Sequence, residues 1–434
     1  MKTVLVSLLF LVLLLWGVSF THADNVNILW LIRQDALNLT GFLAISFMSL
    51  AVFLSIRPKW VEKPLGGLDR MYRVHKWAGI IALGFAIAHW FTKEIIGDIL
   101  KSTIGKAGKV PKDDFTEFFE MLRHVAKDVG EWAFYVFIAM VVLALWKRFP
   151  YRPWQLLHKA MPVIYIALVF HGVFFVPLYL WVQPLGWFLA IVMSVGLYAS
   201  VIALLGRIGM SNRNFGRILE VQTPSLAVVS LKLALEQPWH HRSGQFAFLR
   251  FSEREGAHPF TIASAENDDN TLDFHIKALG DFTQGLASKI QQGQRVEVEG
   301  PYGQFQLNLA KKNKKQVWIA GGIGLTPFLA WLESMQKDVN NNLEADLHYC
   351  TQDSVNDPFV IKLRNLCEVV PNVKLHIYGS KQGQKLTAEQ LGIESAKDAE
   401  IWFCGPVGLA DKLRKELTET GKSVSFHQEL FEMR

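Results

Sequence analysis

Apolar residues crowd the first 205 or so positions of this chain and then thin out into short runs between polar turns. A helix needs roughly 20 apolar residues to cross a bilayer core of about 30 Å. Six segments meet or approach that length: Val4–Phe20, Leu39–Ile56, Val74–Phe91, Trp132–Trp146, Leu157–Leu178 and Pro184–Leu205. The chain therefore reads as an all-α six-helix membrane bundle followed by a soluble half. The first segment, MKTVLVSLLFLVLLLWGVSFTHA, also has the one Lys, short apolar stretch and small residues of a cleavable signal peptide, and both readings stay open. With either, Asp24 starts outside and the next span runs inward.

Charge gives the orientation. Arg57, Lys59, Lys63, Arg70 and Arg73 separate spans two and three against Glu62 and Asp69. Lys147, Arg148 and Arg152 follow span four, and Arg207, Arg213 and Arg217 follow span six. Cationic loops stay on the cytoplasmic side. The stretch Thr92–Glu131 is mixed in sign, reads as a long loop, and tolerates an outside position. The soluble half is then cytoplasmic, and the protein is expected to be integral to a membrane, a bacterial inner or plasma membrane. The net charge of +6 over 434 residues fits this topology. No basic stripe is interleaved with aromatics, so nucleic acid is not an expected partner. The three cysteines, Cys350, Cys367 and Cys404, match no zinc spacing and suggest no disulfide framework.

Of 13 histidines, four lie inside these spans: His75 and His89 in the third, His158 and His171 in the fifth. Ionisable groups in a membrane are expensive and usually functional. His75 and His89 are 14 residues apart, so about 21 Å along a helix and within roughly 40° of one face. His158 and His171, 13 apart, would be rotated by about 140° on an ideal helix. Pro162 lies between them and can bend or unwind the helix. Spans three and five run in one direction, so His75 lies level with His158, and His89 with His171. Each pair can ligate one haem iron through imidazole nitrogens. Gly79 and Gly84 leave room for a flat macrocycle.

The segments DRMYRVHKWAGIIALGFAIAHW and LHKAMPVIYIALVFHG resemble the third and fifth helices of the ferric reductase and NADPH oxidase superfamily. The resemblance implies two b-type haems, an inner one on His75 and His158 and an outer one on His89 and His171. No CxxCH occurs, so covalent attachment is not expected.

Beyond Phe215, regularly spaced short strands (RILEVQT, LAVVSLKLAL, QFAFLRF, LDFHIKAL, RVEVEG) suggest an antiparallel barrel. HPFTIAS, His258–Ser264, resembles the flavin segment of the ferredoxin-NADP reductase family. It implies an FAD site in which Phe260 lies against the isoalloxazine, Thr261 bonds near its N5 and His258 approaches the phosphates; Pro259, Ile262 and Ser264 complete the segment. The likeness continues through KALGDFTQGL and adds His275 and Lys277 in the strand before it. There Gly280 and Thr283 are expected to open a helix whose amides suit the pyrophosphate.

After Lys315 strands alternate with helices. A buried strand QVWIA, a turn GGIGLTP and an amphipathic helix FLAWLESMQK follow one another, and glycines between strand and helix let a backbone approach a pyrophosphate. With GPYG (Gly300–Gly303) and FCGP (Phe403–Pro406) in order, the resemblance implies an NAD(P) site. Gly321, Gly322, Gly324 and Thr326, with Pro327, would cradle the dinucleotide phosphates. Cys404, followed by Gly405 and Pro406, would sit beside the nicotinamide, and Phe431, or less well Phe426, would cover the flavin. Thr261, Cys404 and Phe431 form the expected catalytic set. Gln352 and Asp353, after the second strand, lean towards NADH or dual use, since an acid suits a ribose 2′-hydroxyl better than a 2′-phosphate. The expected domains are 1–210 (membrane), 211–312 (FAD, barrel) and 313–434 (NADPH or NADH, parallel α/β sheet).

The expected function is transmembrane electron transfer from NAD(P)H through FAD and two haems. The acceptor is oxygen giving superoxide; a ferric chelate, or a periplasmic protein fed by a relay subunit, are the alternatives. Arg33 and Lys93 are placed near the outer haem edge, either to attract an anion or to snorkel. No EF-hand loop is present, which points to constitutive activity. A different reading keeps the reductase and makes the helices a haem-free anchor.

Overall fold

Surrounded by lipid, a segment must satisfy its own N–H and C=O groups, and a helix does so within itself. The computed structural model describes all residues except 1, 20–25, 112, 147, 226, 253–255, 281, 308–309, 311–313, 339–342, 394–398, 422–423 and 430–434, and the side chains of 151–152. Six helices within it are long and apolar enough to span a membrane. The helices of the first unit are α1 (Lys2–Ser19), α2 (Ile28–Ser55), α3 (Lys59–Leu65), α4 (Leu68–Phe91), α5 (Gly97–Ile104), α6 (Glu117–Leu145), α7 (Tyr151–His158), α8 (Met161–Phe175) and α9 (Pro184–Leu204).

Helix α2 starts eleven residues earlier than hydropathy implies. The Asn27 side chain caps it by accepting from Leu29 N at 3.0 Å, and Gln34 donates to Asn38 at 3.1 Å, so its polar first turns satisfy themselves. The expected loop Thr92–Glu131 is mostly helix. Helix α4 runs through a π-helical turn, Thr92–Ile96, into α5, and α6 begins at Glu117. A π turn leaves carbonyls poorly paired. Those of Thr92 and Lys93 accept from Arg33 Nε (3.2 Å) and Nη2 (2.8 Å). Pro162 acts as expected and more sharply. It lacks the N–H that would reach the His158 carbonyl, and its ring would clash there. The helix stops at His158, turns through Lys159–Ala160 with Ala160 N on Leu157 O at 2.9 Å, and restarts at Met161.

A second compact unit begins at Gly209. Its first layer comprises β1 (Arg213–Ser225), β2 (Val228–Leu235), β3 (Phe246–Arg250), β4 (His258–Thr261), β5 (Thr271–Lys277), the short α10 (Leu286–Lys289) and β6 (Arg295–Tyr302). The strands form one sheet in the order β4-β3-β6-β1-β2-β5, each pair antiparallel. Burial alternates along β5, so Leu272, Phe274 and Ile276 fill the barrel while Asp273, His275 and Lys277 face away. The second layer follows as β7 (Lys315–Gly321), α11 (Thr326–Lys337), β8 (Ala345–Thr351), α12 (Pro358–Val369), β9 (Val373–Gly379), β10 (Ala399–Cys404), α13 (Val407–Glu419) and β11 (Ser425–Gln428). Its strands lie parallel in the order β11-β10-β7-β8-β9.

Aromatic packing joins the two layers. Trp331 packs against Trp318 (4.9 Å), Phe305 (5.1 Å) and Trp402 (5.3 Å), and its Nε1 donates to Ser243 O at 2.9 Å. Such ring pairs add about 0.5–1.5 kcal/mol each beyond the area they bury. They fix the barrel edge against the C-terminal ends of β7 and β10, where the glycine turns lie.

Candidate functional site

The bundle brings the four predicted histidines together in two pairs. The ring centres of His75 and His158 are 6.0 Å apart with planes at 77°; those of His89 and His171 are 6.4 Å apart at 90°. His75 Nδ1 lies 2.7 Å from Ala51 O, His89 Nδ1 2.9 Å from Leu37 O, and His171 Nδ1 2.9 Å from Ala126 O. A carbonyl can only accept, so these Nδ1 atoms carry the proton and each Nε2 keeps a lone pair. Metal-ligating imidazoles are held in this way. With metal–nitrogen bonds of roughly 2 Å, two rings sharing one ion have centres about 6.3 Å apart. Both pairs match that separation.

The space beside them is consistent with a flat group. A Cβ added at Gly79 or Gly84 of α4 would meet nothing within 4 Å. Two other glycines escaped the sequence reading. A Cβ on Gly41 of α2 would stand 3.1 Å from His89 Nδ1, and one on Gly130 of α6 would overlap the His171 ring. Their signal was a glycine four residues after each acceptor carbonyl, which has no meaning until the helix pairing is known. Arg33 and Lys93 do lie at the His89 end, but both are engaged: Arg33 with the Thr92 and Lys93 carbonyls, Lys93 Nζ with Glu94 (2.7 Å) and Glu131 (3.8 Å). Arg123 was also missed. It lies between the rings of Phe115 (5.2 Å) and Phe175 (5.3 Å), and Phe175 stacks on His171 at 4.6 Å.

In the barrel, His258, Pro259 and Phe260 are half-buried on edge strand β4, and Thr261 is buried. The His258 ring stacks on Phe282 at 3.9 Å and 9°. Ile262 and Ser264 serve the interior. Ile262 packs in the core with its N–H on Gln245 O, and Ser264 Oγ accepts from Asp273 N at 3.1 Å. His275 pairs with Ser230 Oγ at 2.7 Å and meets the Phe359 ring at 5.0 Å. Burial, and secondarily Lys362, depress its pKa to about 3, so it stays neutral. Lys277 Nζ lies 3.9 Å from where a Gly322 Cβ would be, which brings this cation to the glycine turn.

The expected helix at Gly280 is not there; α10 begins at Leu286 and has four residues. Thr283 Oγ1 instead accepts from Leu279 N (2.9 Å) and Gly280 N (3.2 Å). The threonine closes a turn on the very amides that were to meet a pyrophosphate, and short-range side-chain bonds of this kind compete with helix.

The motifs of the second layer touch one another. A Cβ on Gly321 would be 2.6 Å from Pro406 Cδ, one on Gly324 would overlap the Cys404 carbonyl, and one on Gly405 would be 2.9 Å from Gly321 Cα. These glycines let two turns pack backbone against backbone. Gly322 takes φ +56°, in the left-handed region that glycine tolerates. Thr326 and Pro327 open the twelve-residue α11, and among the described residues no side chain caps it. Its first amides and positive dipole end suit an anion. Cys404 is buried, and burial first, then the charge of Glu429, push its thiol well above the usual range. Phe431 lies outside the described residues. Glu429, unremarked in the sequence, lies against the GPYG turn: a Cβ on Gly303 would be 2.7 Å from its Oε1. Phe426 does not fit a flavin cover. It lies in β11 against Phe403 (5.8 Å), under Arg414 (4.3 Å).

Asp353 also differs from expectation. Its Oδ1 accepts from Val355 N, Asn356 N and Gln382 Nε2, and its Oδ2 from Asn356 Nδ2 and Lys381 Nζ, at 3.0–3.3 Å. These donors hold the carboxyl below its usual range. A carboxylate offers about four lone-pair sites. Asp353 is filled by donors from its own loop and from Lys381 and Gln382, and so ties the ends of β8 and β9 together.

Residues 40–169 match the family described as ferric reductase like transmembrane component, and residues 214–306 match an FAD-binding domain. Respiratory burst oxidase homolog protein E of Arabidopsis thaliana is 30% identical over 211 residues, covering 43% of this chain and 21% of its own. Protein A of Solanum tuberosum is 28% identical over 207 residues, covering 42% and 21%. The chain thus spans about a fifth of the length of these relatives. Among solved structures, a flavohemoglobin from Malassezia yamatoensis aligns with 93% of this chain and 98% of its own, at 16% identity and a TM-score of 0.48. With a ferric-reductase-like match over the bundle that takes in His75, His89 and His158 and ends just before His171, and an FAD-binding match over the barrel behind it, the chain is similar to the ferric reductase and NADPH oxidase superfamily.

Proposed function

We propose that the protein transfers electrons from NAD(P)H through FAD and two b-type haems across a membrane to an acceptor on the far side, oxygen yielding superoxide. The observation that carries this is the pair of imidazole pairs, at 6.0 and 6.4 Å, with Nδ1 protons turned onto carbonyls in three of the four rings. A haem-free anchor would have no need to hold imidazoles at ligand spacing inside apolar helices. His75 and His158 would hold one iron, His89 and His171 the other. When bound, FAD converts a two-electron hydride donor into a source of single electrons, which haem iron carries one at a time.

The rest of the proposal concerns the chain's own groups. Phe260 and Thr261 offer an apolar face and a hydroxyl to the flavin, and His258 stands at the end of the same strand. Gly321, Gly322, Gly324 and the first amides of α11 receive the dinucleotide phosphates, with Lys277 supplying positive charge. Cys404, kept as a neutral thiol, packs beside the nicotinamide without adding charge. His275 is neutral and serves the seam between barrel and sheet. Since Asp353 is saturated, the argument from it for NADH has no footing, and either coenzyme fits. The chain leaves the bundle from the end holding His75 and His158, because α4 and α8 run away from that end and α9 returns to it. This supports electron entry there, with the soluble unit cytoplasmic. Domains of 1–210, 211–312 and 313–434 are proposed accordingly.

A reduced-minus-oxidised spectrum of the purified protein, with haem content by pyridine haemochrome, tests the reading. Two b-type haems per chain are expected, and none would sink it. Ferric chelate reduction is the second reading, favoured by the ferric-reductase-like match over 40–169. Superoxide-dismutase-sensitive cytochrome c reduction in air, compared with anaerobic chelate reduction, separates the two.

A further inference from the structure

The parallel sheet ends differently on its two sides. In the order β11-β10-β7-β8-β9, one side closes with the four-residue β11 and the other with the seven-residue β9. β9 pairs with β8 at every position from Val373 to Gly379, without a bulge. From Lys374 to Tyr378 its outer edge is bare: among the described residues, no group beyond β8 bonds this stretch of main chain. Edge strands are ordinarily blunted by shortness, proline, bulges or charge. Of these devices β9 carries only Lys374.

Beside that edge lies a groove. Leu375 and Ile377 of β9 line it with Arg364, Cys367 and Glu368 of α12, around an open cavity of about 430 Å³. Leu375, Ile377 and Cys367 pack on the core of the nucleotide layer yet stay half-buried. Arg364 and Glu368 lie one turn apart on α12, both exposed and, among the described residues, in no ion pair. Ile361, one turn before Arg364, is exposed too.

Two strands from different chains can join edge to edge, and an antiparallel joint between identical strands has a two-fold axis. An axis through His376 sets Leu375 of one copy opposite Ile377 of the other on the α12 side, and Lys374 opposite Tyr378 on the other face. Apolar pairs, and a lysine beside an aromatic ring, are favourable across strands. The same axis runs the two α12 helices antiparallel, so Arg364 of each copy faces Glu368 of the other. A foreign strand would have to bring both charges in the right places, whereas a second copy carries them by symmetry. Two copies in one membrane also have less freedom to lose on docking than two in solution. We infer that β9 and α12 form the interface of a homodimer, in which two five-stranded sheets join through their β9 edges.

Analytical ultracentrifugation of the purified full-length protein in detergent, with circular dichroism confirming the fold of each variant, should give twice the chain mass of 49.2 kDa. Leu375→Lys puts an ammonium against the apolar groove and should leave the chain monomeric. Arg364→Glu and Glu368→Arg should each raise the dimer Kd about tenfold, because symmetry counts each change twice. The double variant carrying both reversals should return to within about threefold of the parent, since the facing pairs re-form. These two positions are exposed and carry the test if Leu375→Lys fails to fold. The inference is overturned if the parent sediments as a monomer at every concentration, or if its dimer is indifferent to Leu375→Lys and to both single reversals. It is also overturned if the double variant is no tighter than the single ones, or if a protein of different sequence sediments with the chain in place of a second copy.

Discussion

The bundle and the soluble unit position chemistry by opposite means. In the bundle, polar side chains reach main-chain carbonyls that helices leave on their surface, as His75, His89 and His171 do. In the soluble unit, side chains are removed so that backbones can meet, as Gly321, Gly324 and Gly405 show. A polar group among apolar helices is conspicuous and has few alternative partners. A glycine turn is commonplace until a second turn is found against it. The first device tolerates no loss of the ring; the second tolerates no gain of a methyl.

The comparison breaks most visibly at the ligands. On the proposed reading of one b-type haem per histidine pair, His75→Ala or His171→Ala is expected to remove one of them, read as loss of about half of the reduced-minus-oxidised signal. Next in size, Gly324→Ala forces a methyl into the Cys404 carbonyl. Overpacking of this kind costs about 1–3 kcal/mol. A raised KM for NAD(P)H, with haem content unchanged, is the expected outcome in steady-state kinetics. Gly84→Ala is its counterpart in the bundle. With nothing within 4 Å of the new methyl, the helix gains up to about 1 kcal/mol. Normal haem-free stability with reduced haem retention would show that the space is a macrocycle slot.

Smaller effects sharpen the soluble side. Trp331→Phe loses the bond to Ser243 O. Denaturant unfolding of the full protein should show a loss of about 1 kcal/mol. His275 has a folded pKa of about 3, below the ordinary 6.5. Between those values the unfolded chain binds more protons, so its contribution is fully present above pH 6.5 and is lost as pH falls towards 3. His275→Gln should flatten the pH dependence of stability in that window and nowhere else.

What the sequence made legible follows the same division. The histidine quartet and its pairing could be read because period and burial act on one helix at a time, and the 13-residue misfit correctly pointed at Pro162. Barrel and sheet strands were legible from alternation. Helix ends were not, since Asn27, Gln34 and Arg33 satisfy polar turns through partners chosen by folding. Gly41 and Gly130 gain meaning only across helices. Thr283 took amides meant for a helix, and Asp353 took donors from a loop nearly thirty residues away; both are local competitions that composition does not rank.

The indoles of Trp318, Trp331 and Trp402 lie edge to face at 4.9 and 5.3 Å in a buried cluster between barrel and sheet. Because Trp331 is bonded to the barrel backbone while Trp318 and Trp402 belong to β7 and β10, the cluster straddles the two layers. Parting barrel from sheet would break the ring contacts and the Ser243 bond together, so the integrity of this one cluster stands for the clasp between the two layers.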